Sequence, residues 1–414
     1  AFDTSVDFGE GGLLFVDSSN LNVAVNNTFI APSQGDMIVY TSTTSASVAL
    51  GIDSTVWKRH SGSIFRLNAQ HATLLAAALN SVVEAAESTL FNLRGDNTSL
   101  AFSNCTFSNV KAVNGSLVTM IDGSVQTVTA NGLIATNLTA TFGGGFYLYN
   151  APSQTINVVN SIMASITVAE SGAACYMESP IVETVQVMTL VNTTVKQCEA
   201  VSGTVASLGA FDPTNSTAAI TTAKCRFEDN AGTEQGLFEL AAIVTIFQDT
   251  ASQFLRNTAS IGNALVAFAQ DAQIGFYLSG SVIDQNVGAY NLVGVATVED
   301  SAVQMNDTVI TSNTGGDSLF SFDMEAGVIT ITNATVVNSI LGTSGTGLFW
   351  LTANTIDIEL STFQNGTHTA LFESNVNSLE CDFLSSNNSF FDNTAPDGQA
   401  SDIHVEGAQT TLYI

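Results

Sequence analysis

Eleven asparagines stand in the N-x-[ST] arrangement that accepts an N-linked sugar: Asn26, Asn97, Asn104, Asn114, Asn137, Asn192, Asn215, Asn306, Asn333, Asn365 and Asn387. Sugar attached at these amides would mark a secreted, surface-coated eukaryotic chain. A second chemistry resides in two similar acidic segments, Ile356-Asp357-Ile358-Glu359-Leu360 and Leu379-Glu380-Cys381-Asp382-Phe383. With the apolar residues turned inward on neighbouring strands ~4.8 Å apart, Asp357, Glu359, Glu380 and Asp382 form a square of outward carboxylates. Like charges so close hold a cation or retain a proton, and calcium suits oxygen ligands of this kind. Paired carboxylates also serve glycoside hydrolysis, and plain solvated acids are the simpler reading.

The other reactive side chains are scattered. His60, His71, His368 and His404 form no Ser/His/Asp or HExxH pattern, and no glycine-rich phosphate loop is present. Cys105, Cys175, Cys198, Cys225 and Cys381 include no CxxC pair. They read as small buried residues, with a Cys198 link to Cys175 or Cys225 as the alternative. Lys196, Lys224, Arg226 and Arg256 gather beside Glu228 and Asp229, which reads as a solvated ion-pair patch.

The charge balance narrows the partners. Nine basic against 37 acidic side chains give −28, which excludes nucleic acid and anionic membranes as partners. With 45% hydrophobic and 11% charged residues the chain has enough apolar surface to fold. No run of 18 apolar residues spans a membrane. A start at Ala1 rather than Met suits a processed secreted chain or a fragment.

What must position these residues is a repeat. Cys225-Arg-Phe227-Glu-Asp-Asn230, Ser252-Gln-Phe254-Leu-Arg-Asn257, Ser281-Val-Ile283-Asp-Gln-Asn286 and Thr308-Val-Ile310-Thr-Ser-Asn313 share one phrase. Its apolar anchor is followed through Phe2, Phe29, Val56, Val82, Phe107, Ile134, Ile162, Val195, Phe227, Phe254, Ile283, Ile310, Val336, Phe363 and Phe390, with a near-constant spacing. A second apolar phrase follows each anchor (Ile64-Phe65, Leu90-Phe91, Leu319-Phe320) and a third precedes the next (Val328 to Ile331). Three short strands per repeat predict an all-β parallel β-helix, a single solenoid domain over 1–414 of about fifteen coils.

The phase makes finer predictions. An inward anchor turns positions minus three and minus one outward, so Asn26, Asn104, Asn192, Asn333 and Asn387 line one outer edge while Cys105 and Cys225 point in. Asparagine at anchor plus three (Asn137, Asn230, Asn257, Asn286, Asn313, Asn393) reads as a turn ladder. Residues 70 to 90 also fit a helical period, but the spacing predicts a strand. The long gaps from 162 to 195 and from 195 to 227 predict outward loops.

The F-x-x-N matches at Phe227, Phe254 and Phe390, with Gly11-Gly12-Leu13-Leu14 and Gly144-Gly145-Phe146 as a degraded G-G-A-[ILV], resemble the repeats of polymorphic outer-membrane proteins and, more broadly, the pectin-lyase-like right-handed parallel β-helix superfamily. The resemblance implies right-handed coiling and an extracellular adhesive or structural role, or else polysaccharide cleavage. The chain departs from it in lacking a C-terminal membrane barrel and in carrying sequons.

The first anchor and the last apolar segment, Leu412-Tyr413-Ile414, are in phase, and neither end shows a capping element. Together these features predict a secreted, extracellular or cell-surface glycoprotein that stacks head to tail on copies of itself as a structural fibre or coat, without catalysis or membrane insertion. An adhesin or carbohydrate-binding stalk is the first alternative, a polysaccharide lyase or glycoside hydrolase the second.

Overall fold

The structure is a computed structural model and describes residues 5–6, 14–16, 20–26, 29–30, 33–34, 36–42, 46–181, 183–210, 215–269, 271–297, 300–324, 327–342, 347–353, 355–366, 379–382, 387–394 and 410–413. It is an all-β parallel β-solenoid of about 12 turns, fewer than the fifteen coils that the anchor spacing predicts. The anchor Phe2 lies outside the described residues. The chain divides into two compact units, Ala1–Ser216 and Thr217–Ile414.

In the first unit a representative coil runs through strands Val118–Ile121, Val125–Asn131 and Ile134–Ala140. Each pairs in parallel with its counterpart one coil on: Phe146–Tyr149, Ser153–Val159 and Ile162–Val168. The alternating burial of Val125–Asn131 is the period-2 signature of a strand with one face on the core. The ambiguous stretch after residue 70 is strand: Phe65–Leu79 pairs along its length with Phe91–Ser103. The loop expected after residue 162 falls between Ser179 and Val185. The second long gap includes 211–214, outside the described residues.

The inward column of this unit is Trp57, Val83, Phe107, Ala135, Met163 and Val195, each paired with the next and all buried. The anchors Val56, Val82, Ile134 and Ile162 therefore stand one residue early. Ile134 and Ile162 are each 41% exposed. β-Branched side chains suit either face of a strand, so their type does not give the phase. The phase is set by the corner before them. A residue with positive φ (Ser54, Asn80, Asn104, Gly132, Asn160, Asn192) is followed by a buried one (Thr55, Ser81, Cys105, Leu133, Ser161, Thr193), and the inward residue comes two later.

In the second unit the same column reads Phe227, Phe254, Ile283, Ile310, Val336 and Phe363. Here the third strand is cut in two by another left-handed residue, as where Asp229 (φ 55) separates Arg226–Glu228 from Ala231–Gly232. Aromatic rings stack from coil to coil, Phe227 on Phe254 at 5.1 Å and Phe320 on Phe349 at 5.2 Å. Each fully buried phenylalanine contributes roughly 1.5–3 kcal/mol.

Close coil stacking also explains the glycine pair of the first unit. A Cβ on Gly144 or Gly145 would come within 2.4 or 2.6 Å of the carbonyl oxygens of Ala173 and Ala174 on the next coil. Only glycine allows that approach.

Candidate functional site

Four sequon asparagines share one corner. Asn104 (φ 53) and Asn192 (φ 47) in the first unit, and Asn333 (φ 53) and Asn387 (φ 50) in the second, are exposed and left-handed, a conformation asparagine adopts more readily than other side chains with a Cβ. The amides of Asn104, Asn192 and Asn333 bond outward-facing neighbours one coil away, an outer rail. Asn192 Nδ2 donates to Asn160 Oδ1 at 2.8 Å, Asn333 Nδ2 to Asp307 Oδ1 at 2.6 Å, and Asn104 Nδ2 to Asn80 Oδ1 at 3.4 Å. A carboxamide has two N–H groups, so one serves the rail and the other is available for substitution.

Two more sequon residues, Asn137 (φ 54) and Asn365 (φ 52), occupy the other left-handed corner, where Asn365 Nδ2 donates to Asn338 Oδ1 at 3.1 Å. Asn26 differs from the expected edge. It ends strand Asn20–Asn26 and pairs with Asp53, one residue before the corner, because its anchor Phe29 is also one residue early. Asn97 and Asn215 are exposed, and Asn114 and Asn306 are half-buried.

The expected +3 asparagine column divides accordingly. Asn230, Asn257, Asn286 and Asn313 are fully buried and lie inside the coil rather than on a surface turn. The side-chain oxygens of Asn257, Asn286 and Asn313 each accept two N–H groups from the asparagine of the preceding coil. Their Nδ2 groups donate back to anchor carbonyls, Asn286 to Phe254 O at 2.8 Å and Asn313 to Ile283 O at 2.9 Å. Asn137 belongs to the outer corner instead.

The carboxylate square depends on register. Asp357 is half-buried and Glu359 exposed, while the side chains of Glu380 and Asp382 lie outside the described residues. A square needs Glu380 beside Asp357 and Asp382 beside Glu359. Backbone pairing instead sets Glu380 beside Thr355 and Cys381 beside Ile356. The backbone of the second segment is thus displaced by two positions from the alignment that a square requires. A cation-ligating group of three or more such side chains is absent among the described residues.

The two arginines of the basic patch are paired with its two acids. Arg226 reaches Glu228 at 2.7 Å, and Arg256 bonds both Glu228 and, at 2.7 Å, Asp229. The Arg226 hydrogen bond, reinforced by Arg256, holds the Glu228 carboxyl down to about 2. This geometry leaves the two guanidiniums little capacity to grip an anionic polymer.

Cys105, Cys175, Cys198 and Cys225 are buried and form no disulfide with one another. The alternative Cys198 disulfide is therefore not formed. Burial pushes the Cys198 thiol up to about 12 and raises that of Cys175 further. Such thiols are inert. His60 is buried and its imidazole is held below its ordinary value by that burial.

One site lies outside the sequence expectations. In the first unit the outward positions Asn92, Thr119, Tyr147 and Tyr176 face their counterparts on successive coils. Tyr147 and Tyr176 stack at 5.5 Å with planes 5° apart, Tyr149 lies 6.1 Å from Tyr147, and Phe142 5.2 Å from Tyr176. Tyr176 donates to Glu178 at 2.8 Å. Where the column shrinks from phenol to hydroxyl at Thr119, a groove of about 630 Å³ opens, lined by Glu87, Asn92, Lys111, Asn114 and Thr119 among others. Its wall is fixed by Thr89 and Thr119, whose hydroxyls both donate to the Asn114 carbonyl at 2.7 Å. A signal is present in the sequence, since Tyr147, Tyr149 and Tyr176 are three of only seven tyrosines and fall close together.

No protein-family model matches the chain, and no curated protein matches it. Among solved structures, a mutant of the PL6 family alginate lyase AlyGC is similar at 8% identity over 98% of this chain and 97% of that one, with a TM-score of 0.22. A likeness that slight carries no argument about activity.

Proposed function

We propose that the chain is a subunit of a secreted, N-glycosylated extracellular fibre or surface coat, a structural protein rather than a catalyst. The observation that supports this reading best is the sequon corner, where exposed asparagines keep one amide hydrogen for the rail and leave the other for a sugar. Glycosylation there removes nothing that holds the coils together. In this reading the solenoid is right-handed, as parallel crossovers almost always are. Subunits meet end to end, because an open solenoid end presents unpaired strand edges that a second copy satisfies.

A second reading, a carbohydrate-binding stalk, is favoured by the tyrosine stack beside the groove. Electron microscopy of native material, with intact mass before and after enzymatic deglycosylation, tests the first. Fibres with an axial rise of ~4.8 Å per coil and a mass loss on deglycosylation are expected. Monodisperse particles without attached sugar would overturn it.

A further inference from the structure

We propose that the groove of the first unit binds a neutral oligosaccharide laid along the coil stack, from Asn92 across Thr119 to the edge of the Tyr147–Tyr176 pair. The proposal rests on the carbohydrate-binding reading and specifies its site and ligand chemistry. Three coil steps of ~4.8 Å give this track a length of ~14 Å, enough for an extended ligand rather than a single small solute.

The lining chooses the chemistry. Glu87 and Lys111 offer one charge of each sign, so the groove is balanced within a chain of net charge −28. Asn92, Thr119 and Ser88 supply both donors and acceptors, which suits hydroxyl groups that are themselves both. Beyond the groove lining, the half-buried Tyr176 adds a rigid aromatic edge, supported by its stack on the buried Tyr147. Burial, with Glu178 and Tyr149 nearby, pushes the Tyr147 phenol up to about 12, so it remains a neutral hydroxyl under physiological conditions. The groove is built before any ligand arrives, because the Asn114 carbonyl is pinned from two sides.

Two sources offer such a ligand: an external glycan, or the N-linked sugar of another copy. The second has an electrostatic logic. Copies carrying −28 each repel at contact, and a neutral sugar bridge spans a gap comparable to the screening length, about 8 Å at physiological salt.

The test is calorimetric titration of the full chain with chitotetraose and mannotetraose, and with tetragalacturonate as the anionic control. At least one neutral probe binds, insensitive to salt, and the anionic probe does not. Tyr176→Ala and Asn92→Ala each weaken binding about fivefold or more, measured well below each variant's melting temperature. Failure of both neutral probes to bind, or binding unchanged in both variants, overturns the proposal. A second arm compares glycosylated and enzymatically deglycosylated protein by sedimentation. Self-association lost on deglycosylation and in Tyr176→Ala assigns the ligand to another copy, whereas probe binding without such association assigns it to an external glycan. If the mass shows no attached sugar, the glycoprotein reading fails while the titration still decides the groove.

Discussion

Asn257 donates one amide hydrogen to Asn286 Oδ1, 2.9 Å away on the following coil, while its other hydrogen bonds the Phe227 carbonyl, 3.0 Å away on the coil before. With the backbone N–H of Asn257 also donating to Asn286 Oδ1 at 2.8 Å, one buried side chain links three successive coils. Inside a core, a polar chain of this kind is stabilising only when every member is satisfied.

Replacing Asn257 by alanine therefore leaves donors on Asn230 without their acceptor and the Phe227 carbonyl without its amide. A loss of about 1–3 kcal/mol is expected in chemical denaturation. Asn393→Ala, at a half-buried position, should cost less. Equal losses in the two variants would contradict the ladder's role.

Acid should weaken the coils around His60. Its folded-state value is depressed by burial, opposed by the Ser63 backbone and Asp36. Above the ordinary value of 6.5 both states are neutral and the stability is fully present. As pH falls below that value the unfolded chain takes up a proton that the folded chain refuses. Stability then declines by at most about 1.4 kcal/mol per pH unit until the folded value is reached. Melting curves from pH 7.5 to 5 should show this slope, and His60→Gln should flatten it.

Cys105, Cys175 and Cys198 should resist alkylation in the native protein at pH 8, because burial raises each thiol well above that pH. Iodoacetamide followed by peptide mass spectrometry should label them only after denaturation. Native labelling of Cys175 would mean that the coil opens far more readily than its packing implies.

The Glu228 cluster responds to acid in the same sense as His60, but in a lower pH window. Its carboxyl value is depressed to about 2, so the stabilisation is present above about pH 4.5 and is lost as pH falls towards 2. With both arginines more than 40% exposed, solvent screening limits Glu228→Gln to less than about 1 kcal/mol at neutral pH. That difference should vanish in denaturation curves measured at pH 2.

Much of the fold is legible in the sequence because stacking repeats whatever each coil does. The anchors Phe107, Phe227 and Ile310 are correctly phased, since a buried Cys105, Cys225 or Thr308 stands two residues before them. The errors share one cause. Val56, Val82, Ile134 and Ile162 have inward-type side chains on outward positions, and the backbone corner that fixes the register has no residue type of its own: serine, asparagine, glycine and lysine all occupy it. The register of the two acidic segments differs from the expected one for a related reason. Matching the two motifs by type aligns Asp357 with Glu380, whereas the backbone pairs Glu380 with Thr355, and nothing in the residue types announces that shift. The tyrosine face is hidden because Tyr147 and Tyr176 stand a full coil apart in the chain and become neighbours only when coils stack.

The interior amide ladder also bears on how such a chain can change its length. Because each Asn side chain serves both the coil before and the coil after, removing part of a turn leaves mismatched partners on two levels, while removing a whole turn lets the flanking amides meet again. Viable variants should differ by whole modules of about 27 residues, and intermediate sizes should be confined to loops such as the one between Ser179 and Val185, which leaves the ladder untouched. Growth of this kind is quantised, and its quantum is one turn.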